Sequence, residues 1–176
     1  MSAAGSAPRY VVLDGSDGCG KSTQAARLTD RLRSAGLEVD HVREPGSTRF
    51  GERIREILLD PATGDLDPLS EVLAFSAARR ELLHAAVAPA LAAGRWVVSE
   101  RCFASTWVYQ CVAAGRDDLG EAFRRVTEDV HRDLRPDVLV VLDLDDDTRE
   151  TRLRAAGAPD RIEARGADFQ ARVRRG

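Results

Sequence analysis

The stretch Gly15-Ser16-Asp17-Gly18-Cys19-Gly20-Lys21-Ser22-Thr23 restricts what this chain can fold into more than any other. It satisfies the pattern G-x-x-x-x-G-K-[ST], and its flanks supply the context that pattern needs. Tyr10–Leu13 is a β-branched, apolar run, and Gln24–Leu32 has helical spacing. A strand, a glycine-rich loop and a helix start, in that order, aim backbone N–H groups and the positive end of a helix at one anion. Gly15, Gly18 and Gly20 let the backbone approach a phosphate that a Cβ would fend off. Ser16, Asp17, Cys19 and Thr23 complete the cradle, Lys21 reaches toward β/γ-phosphates, and the Ser22 hydroxyl is placed to ligate Mg²⁺. Lys21 is also the only lysine; every other member of the 26 Lys+Arg is arginine. A compact ammonium suits this position better than a guanidinium fork. The sequence thus predicts a site for a nucleotide phosphate.

The rest of the composition removes competing classes. At 176 residues the chain is expected to form one domain, residues 1–176, able to bury a core without staples. A net charge of −3 gives no support for a nucleic-acid partner or an anionic membrane surface. The three cysteines, Cys19, Cys102 and Cys111, are scattered without a C-x-x-C pair, so neither a disulfide framework nor a zinc site is expected. Met1–Pro8 lacks the apolar core of a signal peptide and no apolar run approaches spanning length, so the cytoplasm is the expected compartment.

Along the chain, strands alternate with helices. Strands are predicted at Arg9–Asp14, Leu37–Val42, Trp96–Val98 (within Arg95–Glu100) and Asp137–Leu142, the last a continuous apolar run typical of a parallel strand covered on both faces. Helices are predicted up to Ala35, then over Gly51–Leu59, Leu69–Ala93 (kinked or divided by Pro89), Thr106–Ala114, Leu119–Arg132, Thr148–Ala156 and Ala164–Arg175, with a loop at Gly157–Asp160. The pattern is that of an α/β fold, an open parallel sheet flanked by helices, with ligands at the carboxyl ends of its strands. Three polar segments follow strands: Arg43-Glu44, Glu100-Arg101 and Asp143–Asp147. Glu100 is a natural Mg²⁺-side carboxylate and Arg101 a second phosphate ligand, the alternative being a strand-end ion pair. The run Asp143, Asp145, Asp146 and Asp147 reads as a solvated turn entering a helix N-terminus.

Taken together these pieces resemble thymidylate kinase, a P-loop nucleoside-monophosphate kinase family. The likeness rests on Gly15–Gln24, Arg43–Thr48, Gly51–Arg55, Phe75–Arg79, Glu100-Arg101 with Ser105, Tyr109 and Gln110, Asp160–Glu163, and Asp168-Phe169. It implies transfer of the ATP γ-phosphoryl to dTMP, with Mg²⁺, a small mobile lid at about residues 149–163, and a homodimer. The resemblance also implies roles. Asp17 contacts the sugar 3′-hydroxyl, Arg43 and Arg101 grip the acceptor phosphate, and Ser105 belongs to the same subsite. Phe75 stacks on thymine (the plain alternative being one more core aromatic), Arg79 donates to a thymine carbonyl, and Thr106 touches the base edge. Tyr109 lies under the sugar 2′ carbon and rejects ribonucleotides by clash.

Some family members carry a catalytic arginine in the phosphate loop, at the position of Gly18 here. The lid then has to supply the cation, with Arg152, Arg154 and Arg161 as candidates and Arg161 the first choice, unless it only pairs with Asp160 or Glu163. Glu100 stands where the family usually has aspartate, and the family's C-terminal strand and helix are expected to be absent, which would leave Asp137–Leu142 an exposed apolar edge. Two rival readings are a deoxynucleoside kinase, since Glu100-Arg101 also fits that family, and a nucleotide-binding relative without catalysis.

Overall fold

The computed structural model describes residues 7–156 and 158–176; residues 1–6 of the Met1–Pro8 segment and Gly157 of the Gly157–Asp160 loop lie outside them. Four parallel strands, β1 (Tyr10–Gly15), β2 (Val39–Arg43), β3 (Trp96–Glu100) and β4 (Val138–Leu142), form one sheet in the order β2-β3-β1-β4. The helices are α1 (Lys21–Ser34), α2 (Arg49–Leu59), α3 (Pro68–Leu82), α4 (Ala88–Ala92), α5 (Phe103–Thr106), α6 (Gly120–His131), α7 (Asp146–Ala156) and α8 (Ala167–Arg175). Successive side chains of β1 enter different cores, as period-two alternation requires. Tyr10 and Val12 pack with Leu82, Val87 and Val130 on the α3–α6 side, whereas Val11 and Leu13 pack with Ala25 and Val98 under α1. This double burial explains the unbroken apolar run of β1.

β4 departs from its predicted burial on both faces. Val138, Leu139, Val140 and Val141 are 46, 40, 39 and 67% exposed. β4 pairs with β1 alone and lies at the edge of the sheet formed by the described residues, so its apolar run has a neighbour on one side only.

The helical prediction for Leu69–Ala93 resolves into α3 and α4 joined by a π turn, Leu83–Val87, in which the Ala88 N–H donates to the Leu83 carbonyl. Pro89 lacks an N–H and its ring crowds the carbonyl four residues back, which the wider turn relieves. The predicted Thr106–Ala114 helix is likewise α5 followed by a π stretch, Trp107–Val112. Asp145 accepts from the Thr148 N–H at 2.9 Å and so caps α7, in line with the acidic run entering a helix N-terminus. Asp143 pairs with Arg174 at 3.0 Å, and the Asp146 side chain lies outside the described residues.

Candidate active site

β1 and β3 lie side by side at the point where chain direction across the sheet reverses, the place where an open α/β sheet leaves a crevice. The loop from β1 to α1 fills its floor. Gly15 has φ +140°, and a Cβ there would sit 2.3 Å from the Leu142 carbonyl of β4. Gly18, at φ +80°, lies beneath α7, where a Cβ would meet Leu153 and Arg149 at 3.2 and 3.3 Å. A side chain at position 18 would be crowded by α7 and strained by the positive φ, which favours glycine there. Lys21 is 8% exposed, and its Nζ donates to the carbonyls of Gly15 (3.0 Å) and Ser16 (2.7 Å). Burial, and then the nearby Arg101 cation, push its pKa down.

Arg101 follows β3 with φ +70°, a left-handed conformation that costs a non-glycine residue roughly 1–3 kcal/mol. Its N–H is held by the Leu13 carbonyl at 2.9 Å, and the turn brings the guanidinium back over the loop. There it donates to Ser105 Oγ at 2.7 Å, to the Gly15 carbonyl at 3.2 Å, and to Asp17 in a short ion pair. The Tyr109 hydroxyl also donates to Asp17, at 2.8 Å, and the Arg101 guanidinium lies 5.4 Å from the Tyr109 ring centroid. Burial would raise the Asp17 carboxyl, but Arg101 and Lys21 outweigh it and hold the pKa below the usual range. Asp14, buried beneath, accepts from the N–H groups of Cys102 and Ser105 and from Ser105 Oγ (2.6 Å), fixing the start of α5.

Two concave spaces open from this constellation. One, about 590 Å³, is lined by Asp17, Glu44, Arg55, Phe75, Arg79, Arg101, Ser105, Thr106, Tyr109, Gln110, Asp160 and Ile162, among others. The second, an open cleft of about 2220 Å³, is lined by Asp17–Gln24 of the loop and α1 with Arg43, Glu100, Arg101 and Arg152. Asp17, Glu44, Arg55 and Arg101 border both. Within the smaller cavity Arg79 donates through Nε to Glu44 (2.6 Å) and through Nη2 to Thr106 Oγ1 (2.9 Å), so Nη1 remains as its third edge. Full burial raises the Glu44 pKa against the pull of Arg79.

The structure gathers Asp17, Phe75, Arg79, Arg101, Ser105, Thr106 and Tyr109 into the smaller cavity, and Asp17–Thr23 with Glu100 into the cleft. Gly15 and Ser16 line neither; their carbonyls hold Lys21. Arg43 faces the cleft and pairs with Glu52 at 3.1 Å.

The structure does not bring Arg161, the first choice for the lid cation, to the loop. Arg161 is 7% exposed and donates to Glu71 (2.6 Å) and to the Leu58 carbonyl (2.7 Å), away from the loop. It does not pair with Asp160 or Glu163 either; Asp160 Oδ1 instead accepts from the N–H groups of Ile162 and Glu163. Arg154 is exposed on α7 and does not line the cleft. Of the three lid candidates the one that reaches the loop is Arg152, whose Nη1 lies 3.3 Å from the Gly18 carbonyl. The predicted lid is thus not one unit: α7 rests on the loop, whereas Arg161 and Ile162 are buried against the end of α2 and α3.

Arg55 was missed as a site residue. Its guanidinium pKa is lowered by burial and by the neighbouring Arg43 cation, which marks a place short of negative charge. The only sequence signal was its position in Gly51–Arg55.

For a divalent cation the fit rests on Ser22 and Glu100. Ser22 Oγ donates to Glu100 Oε2 in a short hydrogen bond at the mouth of the cleft, so a hydroxyl and a carboxylate oxygen already converge. Among the described residues no cluster of three His, Cys, Asp or Glu could cage a metal. Two hard oxygens fit Mg²⁺, which keeps several waters and shares its ligation with phosphates.

A parallel sheet carrying a P-loop between β1 and α1, with arginines from the ends of β2 and β3 above it, defines a P-loop nucleotide-binding α/β protein. The family model described as thymidylate kinase matches residues 13–176. Thymidylate kinase from Deinococcus radiodurans is 42% identical over 167 residues, 95% of this chain and 80% of the relative. That from Chromobacterium violaceum is 41% identical over 167 residues, 94% of this chain and 77% of the relative. A crystal structure of thymidylate kinase from Ehrlichia chaffeensis superposes with a TM-score of 0.71 at 31% identity, covering 85% of this chain and 84% of that one. The chain belongs to the thymidylate kinase family. No helix among the described residues is long and apolar enough to cross a membrane.

Proposed function

We propose that this chain transfers the γ-phosphoryl group of Mg²⁺-ATP to dTMP, giving dTDP and ADP, in the cytoplasm. The observation that carries this reading is the wall common to the two spaces. Arg101 and Arg55 border both the 590 Å³ cavity and the loop cleft, so an acceptor phosphate held by them faces a donor phosphate held by the loop. Phe75 offers the acceptor base a stacking face, Arg79 and Thr106 offer polar partners, and Asp17 with Tyr109 lies below the sugar. An acceptor phosphate oxygen attacks the γ-phosphorus, the bond to the β–γ bridging oxygen breaks, and no covalent enzyme intermediate forms. Lys21, Arg101 and Arg152 neutralise charge spread over the transferring group, and Arg43 adds a cation on the acceptor side. Mg²⁺, held by Ser22 with Glu100 directly or through water, supplies charge neutralisation at the donor phosphates.

We also propose a homodimer, supported by exposed Phe50 and Ile57 on α2 and Leu73 on the adjoining α3; sedimentation velocity tests it. The function is tested by ADP release with Mg²⁺-ATP and dTMP, against UMP, thymidine and no acceptor. Release that depends on dTMP and disappears in Lys21→Ala is the expected result. Preference for thymidine would make this a nucleoside kinase, and dTMP binding without turnover a non-catalytic relative.

A further inference from the structure

Glu100 has a second partner that the proposed reaction does not use. His41 Nε2 lies 3.0 Å from Glu100 Oε1, while Oε2 accepts from Ser22 Oγ. The contact follows from strand register. β2 and β3 pair with His41 opposite Val98 and Arg43 opposite Glu100. Val39 and Val98 belong to the apolar cluster under α1. His41 is two residues on from Val39, and Glu100 two residues on from Val98. Period-two alternation therefore puts the imidazole and the carboxylate on that same α1-facing side, one step nearer the carboxyl ends. Ser22 approaches from the first turn of α1. The carboxylate is thus contacted from two elements, one at each oxygen.

We propose that His41 is a positioning residue for Glu100, fixing the metal-side carboxylate so that Oε2 stays beside Ser22. Nε2 and Oε1 are within ion-pair distance, and we assign a proton to Nε2, without which two lone pairs would face each other. The chemical need lies in the side chain itself. Glutamate has one more rotatable bond than the aspartate usual in the family, so a free Glu100 would spread its charge over more positions than Mg²⁺ tolerates. A ring nitrogen pinning Oε1 removes that freedom, in the manner of outer partners that orient metal ligands. His41 is 29% exposed and Glu100 15%, so the pair sits at the rim of the cleft and the imidazole can be replaced without opening the core. The inference rests on the reading of Ser22 and Glu100 as the metal-side pair.

The test is a titration of Mn²⁺, as a paramagnetic stand-in for Mg²⁺, into the chain with ADP, followed by electron paramagnetic resonance. His41→Ala is expected to weaken Mn²⁺ binding by about tenfold. His41→Gln, which restores an N–H donor, should return it to within about twofold of the parent. In a Glu100→Asp background, where the shorter arm withdraws from the imidazole, His41→Ala should change it less than about twofold. The dTMP affinity and melting temperature of His41→Ala should match the parent. Unchanged Mn²⁺ affinity in His41→Ala overturns the proposal. So does an equal loss in both backgrounds, or a loss that moves in step with dTMP affinity and melting temperature. The titration needs no turnover: a parent chain that binds Mn²⁺ with ADP yet never phosphorylates dTMP refutes the proposed function and leaves the His41 test intact.

Discussion

Around the cavity that holds Phe75, the polar walls are tied to one another. Arg79 binds Glu44 and Thr106, Arg101 binds Asp17 and Ser105, and Arg161 and Arg165 both bind Glu71, which is fully buried and also accepts from Gln110. Around the phosphate loop Lys21 donates to the Gly15 and Ser16 carbonyls and Ser22 to Glu100. Arg152 touches Gly18 with one nitrogen, α7 rests on glycine backbone, and the adjoining β4 is an exposed edge. Buried ion pairs contribute little net stability, but they fix geometry where breaking one leaves a charge stranded. The cavity proposed for the acceptor is therefore held to a set shape by its own side chains, whereas the cleft proposed for the donor takes Arg152 from α7. That division suits a phosphoryl transfer in which selectivity lies with the acceptor and water must be kept out once the donor is bound.

The comparison breaks most severely if Glu71 is removed. Glu71→Ala strands the buried Arg161 guanidinium and deprives Arg165 of a partner, and is expected to cost about 3–5 kcal/mol in denaturant unfolding, with dTMP binding lost because Asp160 and Ile162 leave the cavity wall. Arg152→Ala sharpens the contrast from the other side. It should lower kcat by a factor on the order of 10²–10³ in steady-state assays while leaving dTMP affinity and stability near the parent values.

A third effect comes from pH. His131 is 1% exposed, and burial pushes its pKa from 6.5 to about 4, partly opposed by its contact with the Leu134 carbonyl. Between about pH 6.5 and 4 the unfolded chain binds a proton that the folded chain refuses. Stability therefore falls as pH drops through that window, by about 3 kcal/mol. His131→Asn should flatten this part of the melting-temperature profile. Because the ring packs on Phe103 of α5, the loss should appear on the acceptor side first.

What could be read in advance follows the range of the signal. The loop, the parallel order and the cavity residues Phe75, Arg79, Arg101, Ser105, Thr106 and Tyr109 lie in short motifs whose residues act near their own strand or helix. Arg161 looked equally marked by Asp160–Glu163, yet its fate is set by Glu71, 90 residues away, and nothing local announces a buried acid on α3. Arg152 carries no motif and is singled out only by the turn of α7 that faces Gly18. The apolar run of β4 by itself reports β-propensity and not the number of neighbours; its exposure is the edge expected if the family's C-terminal strand is absent. His41 was illegible because its meaning depends on the register of β2 against β3.

The most direct test of a preformed acceptor cavity is calorimetric titration of dTMP into the chain with no ATP, ADP or metal present. Binding should be seen, be lost in Arg101→Ala, and change less than about threefold in Arg152→Ala, well below the tenfold that 1.4 kcal/mol would produce. A chain that binds dTMP only after a donor nucleotide is added would contradict the account, because the cavity would then be shaped by closure at the loop and not by its own buried pairs.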